Sequence, residues 1–187
     1  MPSLSEADQK SILALARQAV VEAVCHNRQF TEIPNRGIFA TKRGAFVTLH
    51  VDKRLHGCIG VIEAKDPLGD NIAHCAMSAA LQDPRFRAMR PADLATLEIE
   101  VSLLSPLEPI RPEDVEIGKH GLLIEQGFYR GLLLPQVAVE YHLDRERFLR
   151  ETCYKAGLSG DAWKAPETHL YGFTCEVFAE SGFHDPK

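Results

Sequence analysis

Apolar residues recur along the chain with two different spacings, and the two spacings separate helices from strands. Helical spacing runs through residues 5–27, where Ser5 followed by Asp8 three residues later gives an N-cap signal. Helical spacing returns between Leu68 and Ala80, just after a turn-forming "DP". The pattern therefore predicts two amphipathic helices, one over residues 5–27 and one that begins near Leu68.

Strict alternation of apolar and polar residues marks the clearest strand. From Leu97 to Leu103 every second residue is apolar, while Glu98 and Glu100 fall on the opposite face. Upstream, "RGIFATKRGAFVTLHVDKRLHGCIGVI" breaks into short apolar runs separated by "KRG" and "VDKR". This stretch predicts two hairpin-linked strands, with the cysteine motif at the start of the next strand or just after it.

The second half of the chain repeats this mixture. "VEIGKHGLLIEQGFYRGLLLP" predicts two short strands around a glycine-bounded turn, and "LYGFTCEVFAE" predicts one final strand. Between them, residues 136–158 have helical spacing with a break near His142–Asp144, and Gly157 suits the position after the helix. The strands come in antiparallel pairs with helices between the groups. We therefore predict an α+β fold, with a mainly antiparallel sheet flanked by helices, rather than a doubly wound one.

Composition and charge narrow the class of protein. The chain has 187 residues, 45% of them hydrophobic, and a net charge of −5. The negative net charge argues against nonspecific electrostatic binding to nucleic acid. The N-terminus "MPSLSEADQK" is polar and no apolar run is long enough to span a membrane, so we expect a cytoplasmic protein with no membrane partner. The five cysteines are scattered, which argues against a disulfide framework or a zinc site. Cys25 and Cys75, each within a helical pattern, are expected to be buried.

The stretch "RLHGCIG" holds the first candidate for chemistry, Cys58. Gly57 and Gly60 permit a tight turn and a close backbone approach, which would suit a thiol displayed on a loop. A reactive thiolate needs a positive neighbour, for which His56 and Arg54 are the nearest in sequence, and amides of a glycine-rich turn could hold an oxyanion. The alternative is a packed, unreactive thiol at a place where glycine lets the backbone approach.

Further candidates lie outside that motif. Glu100 could act as a general base if it faces a cleft. The alternative is that it is exposed to solvent, as the polar face of such a strand usually is. Arg85 in "DPRF" could clamp an anion, or it could pair with Asp83 and fix the loop. His120 in "IGKHGL" could carry a proton or bind a metal, but no second histidine stands at ligand spacing, so we predict no metal site.

Two polar residues of the later helices complete the candidate binding set. Pro135 at a first helical turn leaves free amides nearby, and Gln136 beside it could hydrogen-bond a ligand. Lys155 lies near a helix C-terminus, where the helix dipole favours a cation. For both residues a structural role and a binding role remain open.

Six segments, "LHGCIG", "DPRF", "EVSLLSP", "IGKHGL", "GLLLPQVAVE" and "CYKAGL", occur in an order and at separations that resemble the AMMECR family, whose prokaryotic members are called AmmeMemoRadiSam system protein A. The resemblance runs over roughly residues 9–180. It implies that residues 1–187 form one domain of this type, with a larger and a smaller subdomain and a cleft between them. It departs at His56, where the family signature usually has arginine, and histidine is charged only part of the time near neutral pH.

The resemblance also implies partners, namely a Memo-like protein and a radical SAM protein. Two hypotheses follow. The first is a cleft enzyme, or the catalytic subunit of one, that uses Cys58, with His56 or His120 handling protons, Glu100 orienting or accepting, and Arg85 holding an acidic group. The second is a non-catalytic adaptor whose glycine-rich cleft binds a small molecule, a modified nucleotide or a peptide for the radical SAM partner. Neither the residues nor the resemblance implies a cofactor.

Overall fold

The computed structural model describes residues 4–183, which fall into two compact units. The first unit comprises the chain up to Leu104 together with the segment from Glu176 onward, and the second comprises Ser105–Cys175. The helices are α1 (Glu6–His26), α2 (Leu68–Leu81), α3 (Pro135–Glu140) and α4 (Arg145–Lys155). The strands are β1 (Ala45–Val51), β2 (Arg54–Val61), β3 (Leu97–Leu104), β4 (Glu108–Pro109), β5 (Gly121–Gln126), β6 (Tyr129–Leu133), β7 (His169–Phe173) and β8 (Cys175–Ala179). The fold is α+β, as predicted.

The sheet of the first unit has the order β2-β1-β3-β8, with β1 antiparallel to both of its neighbours. Asp52 and Lys53 make the β1–β2 turn with φ of 51° and 62°. Positive φ at both central residues is the backbone of a tight hairpin turn whose twist matches that of its strands. The predicted hairpin is thereby confirmed, and it leaves β2 at the edge of the sheet.

Both helices of the first unit pack on one face of this sheet. The core that they share with the strands is made of fully buried side chains that include Ile12, Ala16, Ile72, Val47 and Val101. The helix predicted over residues 5–27 is α1. Its N-cap is Ser5, whose side chain accepts from the Asp8 amide, and it ends at Asn27 in the left-handed region. The strand residues that alternate with this core belong to the other face of the sheet.

The sheet of the second unit has the order β4-β7-β5-β6. The predicted break in the helical region is present, since α3 ends at Glu140 and α4 begins after the N-cap Asp144, whose side chain accepts from the Arg147 amide. Gly157 follows α4 with φ of 78°, as expected for the residue after a helix. Phe148 and Leu149 of α4 are buried against Leu122 of β5 in the core of this unit.

Two sequence predictions are wrong. "LYGFTCEVFAE" is not one strand, because β7 and β8 are separated at Thr174 and belong to different sheets. Cys25 is exposed rather than buried. The buried positions of α1 end at Ala23, and two residues further along a helix the side chain points about 200° away from that stripe. Cys75 is buried, as predicted.

α1 is 21 residues long, but its sequence is too polar for a membrane span. Within residues 4–183 no helix combines the length and the apolar character needed to cross a bilayer.

The structure also corrects the expected role of the glycines around Cys58. "RLHGCIG" is part of strand β2 rather than a tight loop, and neither Gly57 nor Gly60 adopts a positive φ. A Cβ on Gly57 would overlap the Ala79 carbonyl of α2, and a Cβ on Gly60 would overlap the Phe46 ring. These glycines therefore allow a helix and an aromatic ring to approach the strand closely.

We predict that Gly57→Ala destabilises the protein by about 1–3 kcal/mol, because the new methyl group forces α2 away from β2. The measurement is the free energy of unfolding in urea. Gly182→Ala is the matched control, since a Cβ there meets nothing within 4 Å. Equal stability of the two variants would contradict the packing role assigned to Gly57.

Candidate functional site

A row of three polar side chains crosses the first sheet on the face away from α1 and α2. Thr48 of β1 is paired with Cys58 of β2 on one side and with Glu100 of β3 on the other. The Thr48 hydroxyl donates a hydrogen bond to the Cys58 sulfur, with 3.3 Å between Oγ1 and Sγ. All three residues are half-buried. We call this set the Cys58 row.

Strand spacing fixes the separations within the Cys58 row. Neighbouring strands lie about 4.8 Å apart, so Cys58 and Glu100 stand about 10 Å apart at the backbone, with Thr48 between them. Thr48 therefore separates Glu100 from the thiol. A ligand of a few heavy atoms that lies across Thr48 would contact both the thiol and the carboxylate.

The backbone of Cys58 is held at the edge of the sheet by the "DPRF" loop. The Cys58 amide donates to Asp83 Oδ2 at 2.9 Å, and Arg85 Nη2 donates to the Cys58 carbonyl at 3.1 Å. Arg85 also donates to both Asp83 oxygens, from Nε at 3.0 Å and from Nη2 at 2.7 Å. The Cys58 amide therefore donates to Asp83 rather than into open space.

The charges of this loop stabilise each other. The hydrogen bonds from Arg85 hold the pKa of the Asp83 carboxyl well below its usual range, against the opposing effect of burial. In turn Asp83 raises the pKa of Arg85, and Cys58 adds smaller contributions in the same direction. Of the two roles considered for Arg85, the structure shows the loop-fixing pair. Its side chain nevertheless remains 57% exposed, and Nη1 makes no hydrogen bond within residues 4–183.

His56 occupies a bulge in β2. Leu49 is paired with Gly57 and His50 with Leu55, so His56 is the extra residue between two regular pairs. Its ring lies against Phe86, with 6.3 Å between ring centroids and 23° between the planes. The residue is 9% exposed, and its Nε2 has no hydrogen-bond partner in the described part of the chain. The bulge interrupts the alternation that would otherwise place His56 and Cys58 on the same face of β2.

His50 is a site residue that sequence reasoning missed. It lies two residues from Thr48 on β1, on the same face as the Cys58 row, and it is paired with Glu98 of β3. A histidine and a carboxylate therefore stand opposite each other beside the row. The alternation in "FVTLHV" could have revealed this, once Thr48 was paired with the cysteine strand.

The other three predicted site residues belong to the second unit. His120 closes a turn, because its Nδ1 accepts from the Glu116 amide at 3.0 Å. Gln136 is exposed at the start of α3, and Lys155 is exposed at the last position of α4. These placements give His120 a structural hydrogen bond and leave the proposed binding roles of all three as predictions.

The described residues contain no group of three or more His, Cys, Asp or Glu side chains arranged to hold a metal ion. The cysteines instead differ in accessibility. Burial raises the pKa of the Cys75 thiol to about 12 and also raises the pKa of Cys153. Cys58 is half-buried and Cys25 is exposed. Cys175 is half-buried as well, and Cys58 is the thiol that belongs to the Cys58 row.

Comparison with known proteins identifies the family. The family model described as AMMECR1 matches residues 13–178, which is most of the chain. The chain belongs to the AMMECR1 family. A protein of Methanothermobacter thermautotrophicus is 40% identical over 96% of this chain and 97% of its own length. Protein TK0174 of Thermococcus kodakarensis is 43% identical over 90% of this chain and 88% of its own.

A solved structure shows the same fold. The crystal structure of the uncharacterized protein PH0010 from Pyrococcus horikoshii matches with a TM-score of 0.86 at 37% identity. The match covers 95% of this chain and 93% of that one. The resemblance to the AMMECR family found in the sequence is thereby confirmed, together with the α+β fold.

We predict that Asp83→Asn destabilises the AMMECR1 protein by about 1–3 kcal/mol near neutral pH, because a buried acceptor loses its charge beside Arg85. The lowered pKa of Asp83 means that the folded chain binds this proton less readily than the unfolded chain. The carboxylate therefore stabilises the fold above about pH 4, and the difference between wild type and variant should shrink as the pH falls below that value.

Urea unfolding at several pH values provides the measurement. Asp114→Asn is the control, since Asp114 accepts from Arg111 in a similar two-point pair that is exposed on both sides. Its loss should be clearly the smaller of the two. A pH-independent difference for Asp83→Asn would contradict the assigned role of its charge.

Proposed function

We propose that this AMMECR1 protein is a cysteine-dependent enzyme, or the catalytic subunit of one, with Cys58 as the group that attacks or protonates the substrate. The observation that carries the proposal is the Cys58 row, in which a partly exposed thiol accepts a hydrogen bond from Thr48 beside a carboxylate. A packed, inert cysteine needs no such donor. Acyl or alkyl transfer to sulfur is the reaction class that suits a thiol in this position.

Thr48 and Arg85 are polar neighbours of Cys58. A hydroxyl that donates to sulfur stabilises the thiolate more than the neutral thiol, because the thiolate is the stronger acceptor. The guanidinium of Arg85, which lies at the Cys58 carbonyl, places a positive charge at the same strand position. Arg85 is itself paired with Asp83, so the proposal rests on the hydrogen bond from Thr48.

Proton transfer needs a group with access to both thiol and solvent. His56 is enclosed against Phe86, whereas His50 is half-buried on the face that carries the Cys58 row. We therefore assign proton transfer to His50, which stands opposite Glu98 on the neighbouring strand. His56 is then a residue that positions the Phe86 loop.

Glu100 and Arg85 would bind the substrate on either side of the thiol. Glu100 lies about two strand spacings from Cys58, a distance that suits a carboxylate that accepts from a polar group of the substrate. The free Nη1 of Arg85 can donate to an anionic group, more weakly than an unpaired arginine would. The supported substrate is a small molecule that lies across Thr48 and carries both a donor and an acidic group.

A second candidate has an observation in its favour. The packing roles of Gly57 and Gly60 explain why the motif contains glycine without any reaction at Cys58. In this alternative the protein is a non-catalytic subunit that binds a ligand or a modified nucleotide. With either function, a Memo-like protein and a radical SAM protein are the partners we propose, on the strength of the resemblance.

The first test is the rate of Cys58 alkylation by iodoacetamide as a function of pH, followed by peptide mass spectrometry. Cys58 should react in the native protein, while the buried Cys75 and Cys153 react only after unfolding. Thr48→Val should slow the reaction about fivefold at neutral pH, as expected for the loss of about 1 kcal/mol of hydrogen bonding to the thiolate. Thr31→Val, at an exposed position outside the sheets, is the control.

Two results would contradict the enzyme proposal. One is Cys58 labelling only after unfolding, and the other is an unchanged rate of Cys58 alkylation in Thr48→Val at neutral pH. Either would leave the binding subunit as the supported function. That alternative in turn requires a complex with the Memo-like or radical SAM protein that survives Cys58→Ser, measurable by size-exclusion chromatography of the mixed proteins.

A further inference from the structure

The second unit contains a cavity that none of the predicted site residues lines. Its volume is about 790 Å³, which lies within the range of about 300–1,000 Å³ that is typical of small-molecule sites. The walls come from the segment 112–117, from the first turn of α4 and from Trp163. All of these residues belong to one compact unit, so this unit alone forms the cavity. We call it the Trp163 cavity.

Apolar side chains form most of its surface. Val115 and Leu149 are fully buried, and Trp163 packs against the same hydrophobic cluster. Ile117, which also lines the cavity, is 39% exposed. An exposed isoleucine beside a buried valine and leucine makes an apolar path from solvent to the floor. Filling this path with an apolar group would remove that surface from water, which is favourable.

The charges that line the cavity are mostly negative. Four carboxylates, those of Glu113, Glu116, Asp144 and Glu146, stand against one guanidinium, that of Arg145. The Nε of Arg145 donates to the Val115 carbonyl at 2.9 Å, which ties this cation to the wall. A positive group on a ligand would therefore meet carboxylates from both sides of the cavity.

The carboxylates have partners, but those partners lie elsewhere. Their ion pairs are with Arg111, Lys119, Arg147 and Arg150, and none of these four cations lines the cavity. Exposed pairs of this kind contribute little and exchange readily. The cavity side of each carboxylate thus remains available to a ligand, with a modest gain per charge.

We infer that the Trp163 cavity binds ligands that combine an aromatic or branched aliphatic group with a positively charged amine. The apolar group occupies the floor formed by Val115, Leu149 and Trp163. The amine lies among the carboxylates of Glu116 and Glu146. Such a ligand can be a free amine or the basic-apolar part of a peptide, and the site is independent of the Cys58 row.

The test uses the fluorescence of Trp163, the only tryptophan of the chain. The full-length protein is titrated at low salt with 3-phenylpropylamine, with the neutral 3-phenylpropanol and with the anionic 3-phenylpropionate. The amine should change the emission in a saturable way and bind about fivefold more tightly than the alcohol, the factor expected for about 1 kcal/mol of ion pairing. The carboxylate should bind most weakly.

Variants test whether the carboxylates cause the preference for the amine, independently of any effect on folding. The double variant Glu116→Gln with Glu146→Gln should bring the amine and the alcohol to equal affinity, whereas Glu151→Gln, on α4 but outside the cavity, should leave the preference unchanged. Ile117→Lys, at the exposed mouth, should abolish amine binding without loss of folding.

The peptide N-acetyl-Phe-Lys-amide distinguishes the two kinds of natural ligand. Tighter binding than that of the free amine indicates a peptide, and weaker binding indicates a small molecule. Equal affinity of the three phenylpropyl probes, or no saturable change up to millimolar amine, would overturn the proposal.

Discussion

The position of Cys58 depends on one two-point contact between a strand edge and a loop. β2 is an edge strand, and the outward amide and carbonyl of Cys58 have no neighbouring strand to pair with. Asp83 accepts from the amide and Arg85 donates to the carbonyl, so the loop after α2 supplies what a further strand would supply. The contact fixes the strand, the end of the helix and the backbone beneath the thiol together.

That contact and the packing of the glycines give structural roles to the backbone of Cys58 and to Gly57 and Gly60. The side chain of Cys58 remains available for catalysis or binding. Gly57 serves the packing of α2, Gly60 makes room for the Phe46 ring, and the backbone of Cys58 is bound by the loop. The thiol itself accepts a hydrogen bond from Thr48. Packing explains the two glycines, and it does not explain the side chain of the cysteine between them.

Periodicity predicted the elements of the fold but not the site that they build. The alternation from Leu97 to Leu103 placed Glu100 on the correct face, and helical spacing located α1 and α2. The meeting of Thr48 with Cys58, by contrast, depends on the register of the hairpin, and the pairing with Glu100 depends on a strand more than 50 residues further along the chain. The bulge at His56 could not be predicted for a related reason, since an inserted residue leaves no mark in the hydrophobic pattern. Asp83 was readable as a partner of Arg85, but its bond to the Cys58 amide exists only in the folded chain.

The division of the final stretch into β7 and β8 has a consequence for the order in which the protein is made. β8 completes the first sheet, and the Arg17–Glu180 pair beside it joins α1 to the far end of the chain. Neither the pairing of β8 nor this ion pair can form until the whole of Ser105–Cys175 has left the ribosome. The second unit is continuous in sequence and can finish folding first, although it is synthesised later than most of the first. During synthesis, therefore, β3 is an unprotected sheet edge until β8 has been made, and the inserted unit is synthesised in that interval.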